Sequence, residues 1–419
     1  MNKVKSFFFI YLIIYITFHS PLVAAEFDPI AVYLTWKGNP ETTMTICWIT
    51  NLDSESDTVE YQRKGEIQWN SVIGSHIHMP DQYPFWIHSV QLIGLKPDSE
   101  YNFRVTSNGV KYKFRTLSDD WTKPIRFVVG GDVYHDGLDI LQKMNRQVAK
   151  LDPMFAIVGG DIAYNDEKPS ALPKLMPRWL DWLIAWKNQM VAPDGRLIPM
   201  IPAIGNHDVK KGKNNKKPTD APFFYSLFPF PGSQGFNVLD FGNFMSLVIL
   251  DSGHTNPVIG VQDKWLSKTL EHRQQIQHKF VVYHVGAYPS VRPFDGKTNA
   301  EIRKSWVPLF EKFGVNTVFE HHDHAYKRTW PIHKGQVNFK EGILYLGDGA
   351  WAVEKPRIPK KPENTWYLAK TKSSRNVILA TVHGNERHFI AIDDTGQIID
   401  EVLSKNNKPS DALIPALKN

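Results

Sequence analysis

From residue 26 to about 118 the chain alternates short apolar runs with polar turns. The runs Ala31–Trp36, Met44–Thr50, Thr58–Gln62, His88–Leu95, Tyr101–Ser107 and Val110–Thr116 are rich in β-branched and aromatic residues. Such residues suit a pleated, half-buried surface, so each run predicts a strand. Turn-forming Lys37-Gly38-Asn39-Pro40 and Asn108-Gly109 separate them, and the regular spacing predicts an all-β sandwich. The pattern changes near Asp119. IRFVVGGD, LDILQKMNRQVAKL and MFAIVGGD follow one another from Ile125. A continuous apolar strand, a helix and a second apolar strand predict a buried, largely parallel sheet. Trp179, Trp182 and Trp186 fall at i, i+3 and i+7, which predicts one buried helix face. His388–Val402 predicts a closing hairpin around Asp394-Thr395-Gly396, with a loose polar tail from about Ser404.

The first residues follow a different pattern. Lys3 and Lys5 precede the apolar run Phe7–Phe18, and small residues follow it up to Ala25. Charged, then apolar, then small is the order of a secretory signal. The run is shorter than the ~20 residues of a spanning helix. Residues 1–25 are therefore expected to be cleaved, leaving a secreted or periplasmic protein with no membrane attachment. An uncleaved N-terminal anchor is the alternative. The expected division is a signal peptide at 1–25, a sandwich domain at 26–118, a mixed α+β/α/β domain at 119–403 and a tail at 404–419. The stretch from Leu95 to Tyr101 also resembles the tyrosine corner of fibronectin type III-like domains, in which a Tyr hydroxyl bonds to nearby backbone.

Composition narrows the function. A chain of 419 residues with 42% hydrophobic and 22% charged residues is neither disordered, collagen-like nor a coiled coil. The net charge of +6, two units of it from Lys3 and Lys5, is too weak and too spread out for a nucleic-acid partner. It mildly favours an anionic small substrate. With Cys47 alone, neither an internal disulfide nor a cysteine metal cluster can form. Cys47 is expected to be a small buried apolar residue.

Ligand-type residues recur where apolar strands end. They are Asp132 after FVVGG, Asp161 after FAIVGG with Tyr164 three residues on, Asn206-His207 in PAIGNHD, His284 after KFVVY, and His322 with His324 in TVFEHHDH. Open α/β sheets bind ligands beyond the carboxyl ends of their strands, so five such ends point at one site. In an extended segment His322 and His324 would face one side and His321 the other. Carboxylate, amide and imidazole suit Fe, Zn or Mn rather than calcium. Two such ions can clamp both ends of an in-line phosphoryl displacement.

Order and spacing of these blocks resemble the metallophosphoesterase superfamily, and within it the purple acid phosphatases. The family blocks GDxG, GDxxY, GNH(D/E), VxxH and GHxH read here as Gly131-Asp132-Val133-Tyr134-His135, Gly160-Asp161-Ile162-Ala163-Tyr164, Gly205-Asn206-His207-Asp208, Val281-Val282-Tyr283-His284 and His321-His322-Asp323-His324. The resemblance spans about Ile125 to Trp351, and the sandwich before it matches the N-terminal domain of the larger members. It implies that Asp132, Tyr164 and His324 hold Fe³⁺. It further implies that Asn206, His284 and His322 hold Zn²⁺, Mn²⁺ or Fe²⁺, and that Asp161 bridges the two. His207 takes the place of a histidine that contacts phosphate or assists the leaving group. The implied activity is hydrolysis of a phosphorylated small molecule, a phosphomonoester, by a metal-bound hydroxide, with His207 or His135 donating a proton.

Three departures bear on the substrate. His135 and His321 stand where the family has glycine, and the histidine pair that plant-type enzymes carry after VxxH is missing from GAYPSVRPFDG. Tyr288, Arg292 and Lys297 are the candidates to contact substrate in its stead, and a surface salt bridge is the other reading for Arg292. Asp208 is expected to orient His207 or neighbouring backbone. Trp351, in a late glycine-rich strand end, is expected to be core. The lysine-rich run 210–217 reads as a solvated loop or as an attractor of phosphate. His19, His76, His78, His88, His383 and His388 lie outside the blocks and are expected to be structural or surface residues. A phosphodiesterase on the same metals, and a non-catalytic extracellular binding protein, are the competing functions. The oligomeric state is open.

Overall fold

The computed structural model describes residues 27–51, 57–165, 177–210, 217–347, 349–405 and 408–409. The expected signal segment and most of the lysine-rich run lie outside the described residues.

The first domain is a sandwich of eight strands. They are β1 (Ala31–Thr35), β2 (Met44–Thr50), β3 (Thr58–Arg63), β4 (Asn70–Ile73), β5 (Ser75–His78), β6 (Trp86–Leu92), β7 (Glu100–Val105) and β8 (Tyr112–Arg115). Two four-stranded antiparallel sheets form, in the orders β1-β2-β6-β5 and β4-β3-β7-β8. The pattern of apolar positions did not predict β4 and β5. Both are largely exposed edge strands and carry no alternating apolar face. The tyrosine corner is present: the Tyr101 hydroxyl accepts a hydrogen bond from the Lys96 N–H at 2.8 Å. The sandwich core runs on into the second domain. Trp36 meets Phe155 edge to face at 5.8 Å, and the Tyr33 hydroxyl donates to the Leu227 carbonyl at 2.6 Å.

The second domain packs two seven-stranded sheets face to face. Its strands are β9 (Ile125–Gly130), β10 (Phe155–Gly159), β11 (Met200–Ala203), β12 (Asn237–Phe241), β13 (Met245–Ile249), β14 (His278–Val285), β15 (Thr317–His321), β16 (Tyr326–Thr329), β17 (Ile332–His333), β18 (Gln336–Val337), β19 (Leu344–Gly347), β20 (Leu368–Lys372), β21 (Asn376–His383), β22 (Glu386–Asp393), β23 (Ile398–Lys405) and β24 (Lys408–Pro409). One sheet runs β11-β10-β9-β21-β22-β23-β24 and the other β12-β13-β14-β15-β19-β16-β20. The expectation of a largely parallel sheet holds only for their centres. β9, β10 and β11 are parallel, as are β13, β14, β15 and β19. Antiparallel strands flank both groups. The hairpin of β22 and β23 extends through Lys405, so Ser404 belongs to a strand and not to a loose tail.

Phe127, Phe155, Phe280 and Phe319 fill the space between the sheets, with ring centroids 5.0 Å apart for the first two and 5.9 Å for the last two. Helices α1 (Leu138–Lys150) and α2 (Arg178–Gln189) cover one outer face, and Trp179, Trp182 and Trp186 of α2 are buried there. Helices Val261–Glu271, Lys297–Ser305 and Val307–Lys312 pack on the other. No helix of the described residues is long and apolar enough to cross a membrane. Cys47 is fully buried, and burial pushes its thiol up to about 12.

Replacing Tyr101 by Phe removes one partly buried hydrogen bond while keeping the ring. The expected loss of stability is about 1 kcal/mol, to be read from equilibrium denaturation of the variant against the parent protein.

Candidate metal centre

Both parallel groups end at one edge of the domain. Asp132 follows β9, Asp161 follows β10, Asn206 follows β11, His284 lies near the end of β14, and His322 and His324 follow β15. β14 carries one residue more than β15 between Val282 and Val285. This bulge contains His284, and bulges re-aim side chains beside sites. Asp132, Asp161, Tyr164, His322 and His324 all adopt left-handed backbone, with φ of 55°, 52°, 50°, 82° and 58°. Each such residue costs about 1–3 kcal/mol, and clusters of them occur at functional sites. The expected extended path through His322 and His324 is therefore not what forms. A left-handed bend directs the two rings into different halves of the site.

In one half, His324 Nε2 lies 2.8 Å from Asp132 Oδ1, and the Tyr164 hydroxyl is 3.0 Å from the same oxygen and 3.2 Å from His324 Nε2. In the other, His284 Nε2 lies 3.0 Å from Asp161 Oδ2 and 3.1 Å from His322 Nδ1. His284 Nδ1 meets the Gly159 carbonyl at 2.9 Å, which aims Nε2 into the site. Asn206 Oδ1 is buried and accepts no hydrogen bond from the described residues. A buried acceptor without a donor is costly, and a cation would satisfy it. The donor set fits two transition-metal ions.

Backbone packs closely around these groups. Gly349, at φ +68°, leaves a gap in which a methyl group would sit 1.7 Å from Asp132 Oδ2. His321 does not face away from the site. Its ring is wedged beneath it, where a methyl on Gly159 would come within 1.9 Å of the imidazole. Burial pushes this imidazole down to about 3, so it is neutral.

Charge is balanced within the cluster. Burial works against ionisation of Asp132 and Asp161, but His324 and His284 respectively outweigh it and hold both carboxyls below the usual range. Burial likewise opposes a charge on His284, yet Asp161 and Asp132 lift it to about 9. Burial, then Asp132 and Asp161, raise the Tyr164 phenol well above its ordinary value. A phenolate there needs a strong local cation.

Three supports tie the loops together. Asp208 accepts the N–H groups of Asp161, Ile162 and Gly205 at 3.0, 2.8 and 2.8 Å, and so orients backbone rather than His207. Burial and the charge of Asp161 raise its carboxyl to about 7. Arg178, buried at the start of α2, donates to the carbonyls of Ala163, Tyr134 and Asp136. The Glu320–Lys327 ion pair at 2.6 Å is fully buried, and Glu320 also accepts from Tyr283 and the Ala287 N–H.

At the mouth, His207 is partly exposed, stacks on Tyr164 at 4.5 Å and donates its backbone N–H to Asp161 at 2.7 Å. His135 packs edge-on against Tyr164 and His324 at 4.9 and 5.1 Å. The three substrate candidates are not gathered there. Tyr288 is buried among Tyr345, Phe294 and Tyr367. Lys297 is exposed at the start of a helix. Arg292 is nearer, but it donates to the His322 carbonyl at 2.6 Å and to Asp323 at 2.9 Å. Its role in the structure is to hold the His322 bend. Sequence reasoning passed over His254, whose ring lies 5.5 Å from His284. It follows the apolar run MSLVIL as the other blocks follow theirs, and that was the available signal.

Residues 29–127 match the family model "Purple acid Phosphatase, N-terminal domain", and residues 125–326 match "Calcineurin-like phosphoesterase". The chain is a purple acid phosphatase-like member of the calcineurin-like metallophosphoesterases. It is thus a hydrolase of a family built on binuclear metal sites. Among its relatives, acid phosphatase type 7 of Mus musculus is 24% identical, with 89% of this chain and 90% of that protein aligned. The Fe(3+)-Zn(2+) purple acid phosphatase 12 of Arabidopsis thaliana is 21% identical over 75% of this chain and 68% of its own length. The fold is that of the purple acid phosphatase PPD1 from yellow lupin seeds, with a TM-score of 0.73 at 16% identity, covering 89% of this chain and 74% of the lupin one.

Asp208→Ala removes the acceptor for three backbone donors without touching a ligand-type side chain. Metal affinity is expected to fall about 10–100-fold. Competition with a chelator, followed by elemental analysis, measures it.

Proposed function

We propose that the chain is an exported phosphatase that hydrolyses phosphomonoesters at this binuclear centre. The observation that supports it most is the pair of facing donor clusters, Asp132–Tyr164–His324 and Asp161–His284–His322, whose atoms approach to about 3 Å. Asn206 would complete the second cluster and Asp161 would bridge the two. In this reading the first cluster takes Fe³⁺ and the second Zn²⁺, Mn²⁺ or Fe²⁺; the Fe–Zn relative favours the first pairing. Two such ions, when bound, supply an acidified water and neutralise charge on the phosphoryl oxygens. In this reading His207, partly exposed beside Asp161, contacts phosphate or protonates the departing alcohol. His135 shares that task from the Tyr164 side. Asp208, Arg178 and Arg292 keep the loops in place, so no reorganisation is needed as charge develops. The charged–apolar–small order of the first 25 residues supports secretion or export to a periplasm.

Purified, metal-loaded protein is expected to release phosphate from a chromogenic monoester, and Asp161→Ala to lower that rate about 10²–10³-fold, as loss of a principal charge-stabilising group does. Faster turnover of diesters than monoesters would refute the monoester assignment, and no turnover of either would refute the phosphatase. A visible absorption band from Tyr164 bound to Fe³⁺ is also expected, and Tyr164→Phe should abolish it. A colourless wild-type protein loaded with zinc or manganese would instead overturn the iron assignment.

A further inference from the structure

The sandwich domain holds a second convergence of ligand-type side chains. His76 of β5 and His88 of β6 are directly opposed across an antiparallel pair, so their rings share one face. Val90 and Leu92 alternate with His88 on that face and belong to the sandwich core, which places the pair at one end of the sandwich interior. Asp57 arrives from the other sheet, immediately before β3. Its carbonyl accepts the Gly74 N–H at 2.9 Å and so fixes where the carboxylate enters.

The side chains meet at ligand spacing. His88 Nδ1 is 2.7 Å from Asp57 Oδ1, and His76 Nδ1 is 2.9 Å from both Asp57 oxygens. All three ligand atoms lie within 4.8 Å of one another. A tetrahedral ion with bonds of ~2.0–2.2 Å holds its donors about 3.3 Å apart, so little movement is needed to admit one. The metallophosphoesterase centre shows the same feature in this structure, with carboxylate–imidazole contacts of 2.8 and 3.0 Å.

The surroundings also orient the donors. His88 Nε2 is paired with Thr50 Oγ1 at 2.9 Å. With that nitrogen as the N–H, the Nδ1 lone pair is left for an ion. The His88 ring is fully buried and stacks on Trp48 at 4.9 Å with an interplanar angle of 7°. His76 is held edge-on by Trp86 at 5.1 Å. Two imidazoles and a carboxylate, all oriented, suit a zinc-type divalent ion better than calcium or magnesium.

We infer that Asp57, His76 and His88 form a third cation site, which binds Zn²⁺ with water in the remaining position and clamps the two sheets of the sandwich together. The site is independent of the phosphatase reading, because none of its residues belongs to that centre.

Full-length protein stripped by chelator and titrated with Zn²⁺ tests this by calorimetry and elemental analysis. Three ions per chain are expected, and two after His76→Ala or Asp57→Asn. His76 lies half-buried on an edge strand, so its removal leaves the core packing in place. In an Asp132→Ala, Asp161→Ala, His322→Ala background, one ion should remain and should raise the melting temperature. Adding His76→Ala should weaken that ion at least tenfold and remove the rise. Unchanged zinc stoichiometry and affinity in His76→Ala, or wild-type protein that takes up no more than two ions, would overturn the inference.

Discussion

Two carboxylates, Asp132 and Asp161, are completely buried within range of each other's charge. An isolated buried carboxylate is unfavourable by several kcal/mol even after relaxation, so the arrangement persists only if positive charge is supplied on the spot. His284, lifted to about 9 by Asp161 and Asp132, supplies it beside Asp161, and the His324 ring lies 2.8 Å from Asp132. A metal cation beside Asp161 would displace the His284 proton, since an imidazole binds metal only when neutral. Proton and metal cation thus compete for the same oxygen and nitrogen of Asp161 and His284. Asp208 is equally close in sequence but has a different environment. Three backbone N–H groups occupy its oxygens, and its carboxyl is raised to about 7. It is a brace and not a ligand.

That charge requirement explains the local backbone. Donors from five strand ends can converge only if the chain turns sharply straight after each strand. Left-handed φ at Asp132, Asp161, Tyr164, His322 and His324 performs the turns after β9, β10 and β15, and the β14 bulge re-aims His284. The strain has to be offset, and the offsetting contacts are visible: the Arg178 guanidinium spans three loop carbonyls, Arg292 holds the His322 carbonyl, and Glu320 with Lys327 stiffens the bend after β14. The rigid parallel centres of the two sheets set the direction from which each loop departs. His321 fills the space below, and the glycines at 131 and 159 exist to admit its ring.

Much of this was legible from residue order alone. Apolar runs ending in Gly-Asp, Asn-His and His-x-His marked the strand ends, and the tryptophan spacing marked α2, because burial leaves a periodic trace. The tyrosine corner was legible because one hydroxyl has one geometric use there. What escaped was whatever depends on contacts distant in the chain. Arg178 looks like any helix-start arginine until it is seen among three carbonyls. Tyr288 and Lys297 sit in a loop that reads as substrate-facing, yet the fold turns Tyr288 into an aromatic core and leaves Lys297 at the surface. β4 and β5 are polar edge strands with no face to bury, so no alternation announces them. His76 and His88 stand twelve residues apart, and only the pairing of β5 with β6 makes them neighbours.

The two imidazole–carboxylate clusters share a chemical inventory but differ in what surrounds it, and that difference separates their uses. At the strand ends, the partly exposed His207 lies beside the donors, and the buried Asn206 Oδ1 has no hydrogen-bond donor among the described residues. Such a centre has room for an exchangeable ligand, as a site that turns over substrate must. In the sandwich, Thr50 and Trp48 fix the His88 ring and the carboxylate bridges from one sheet to the other. An ion held there gains its affinity by joining the segment before β3 to β5 and β6 through three side chains. Its natural consequence is stiffness of the domain on which the other centre is mounted, through the shared core at Trp36 and Phe155.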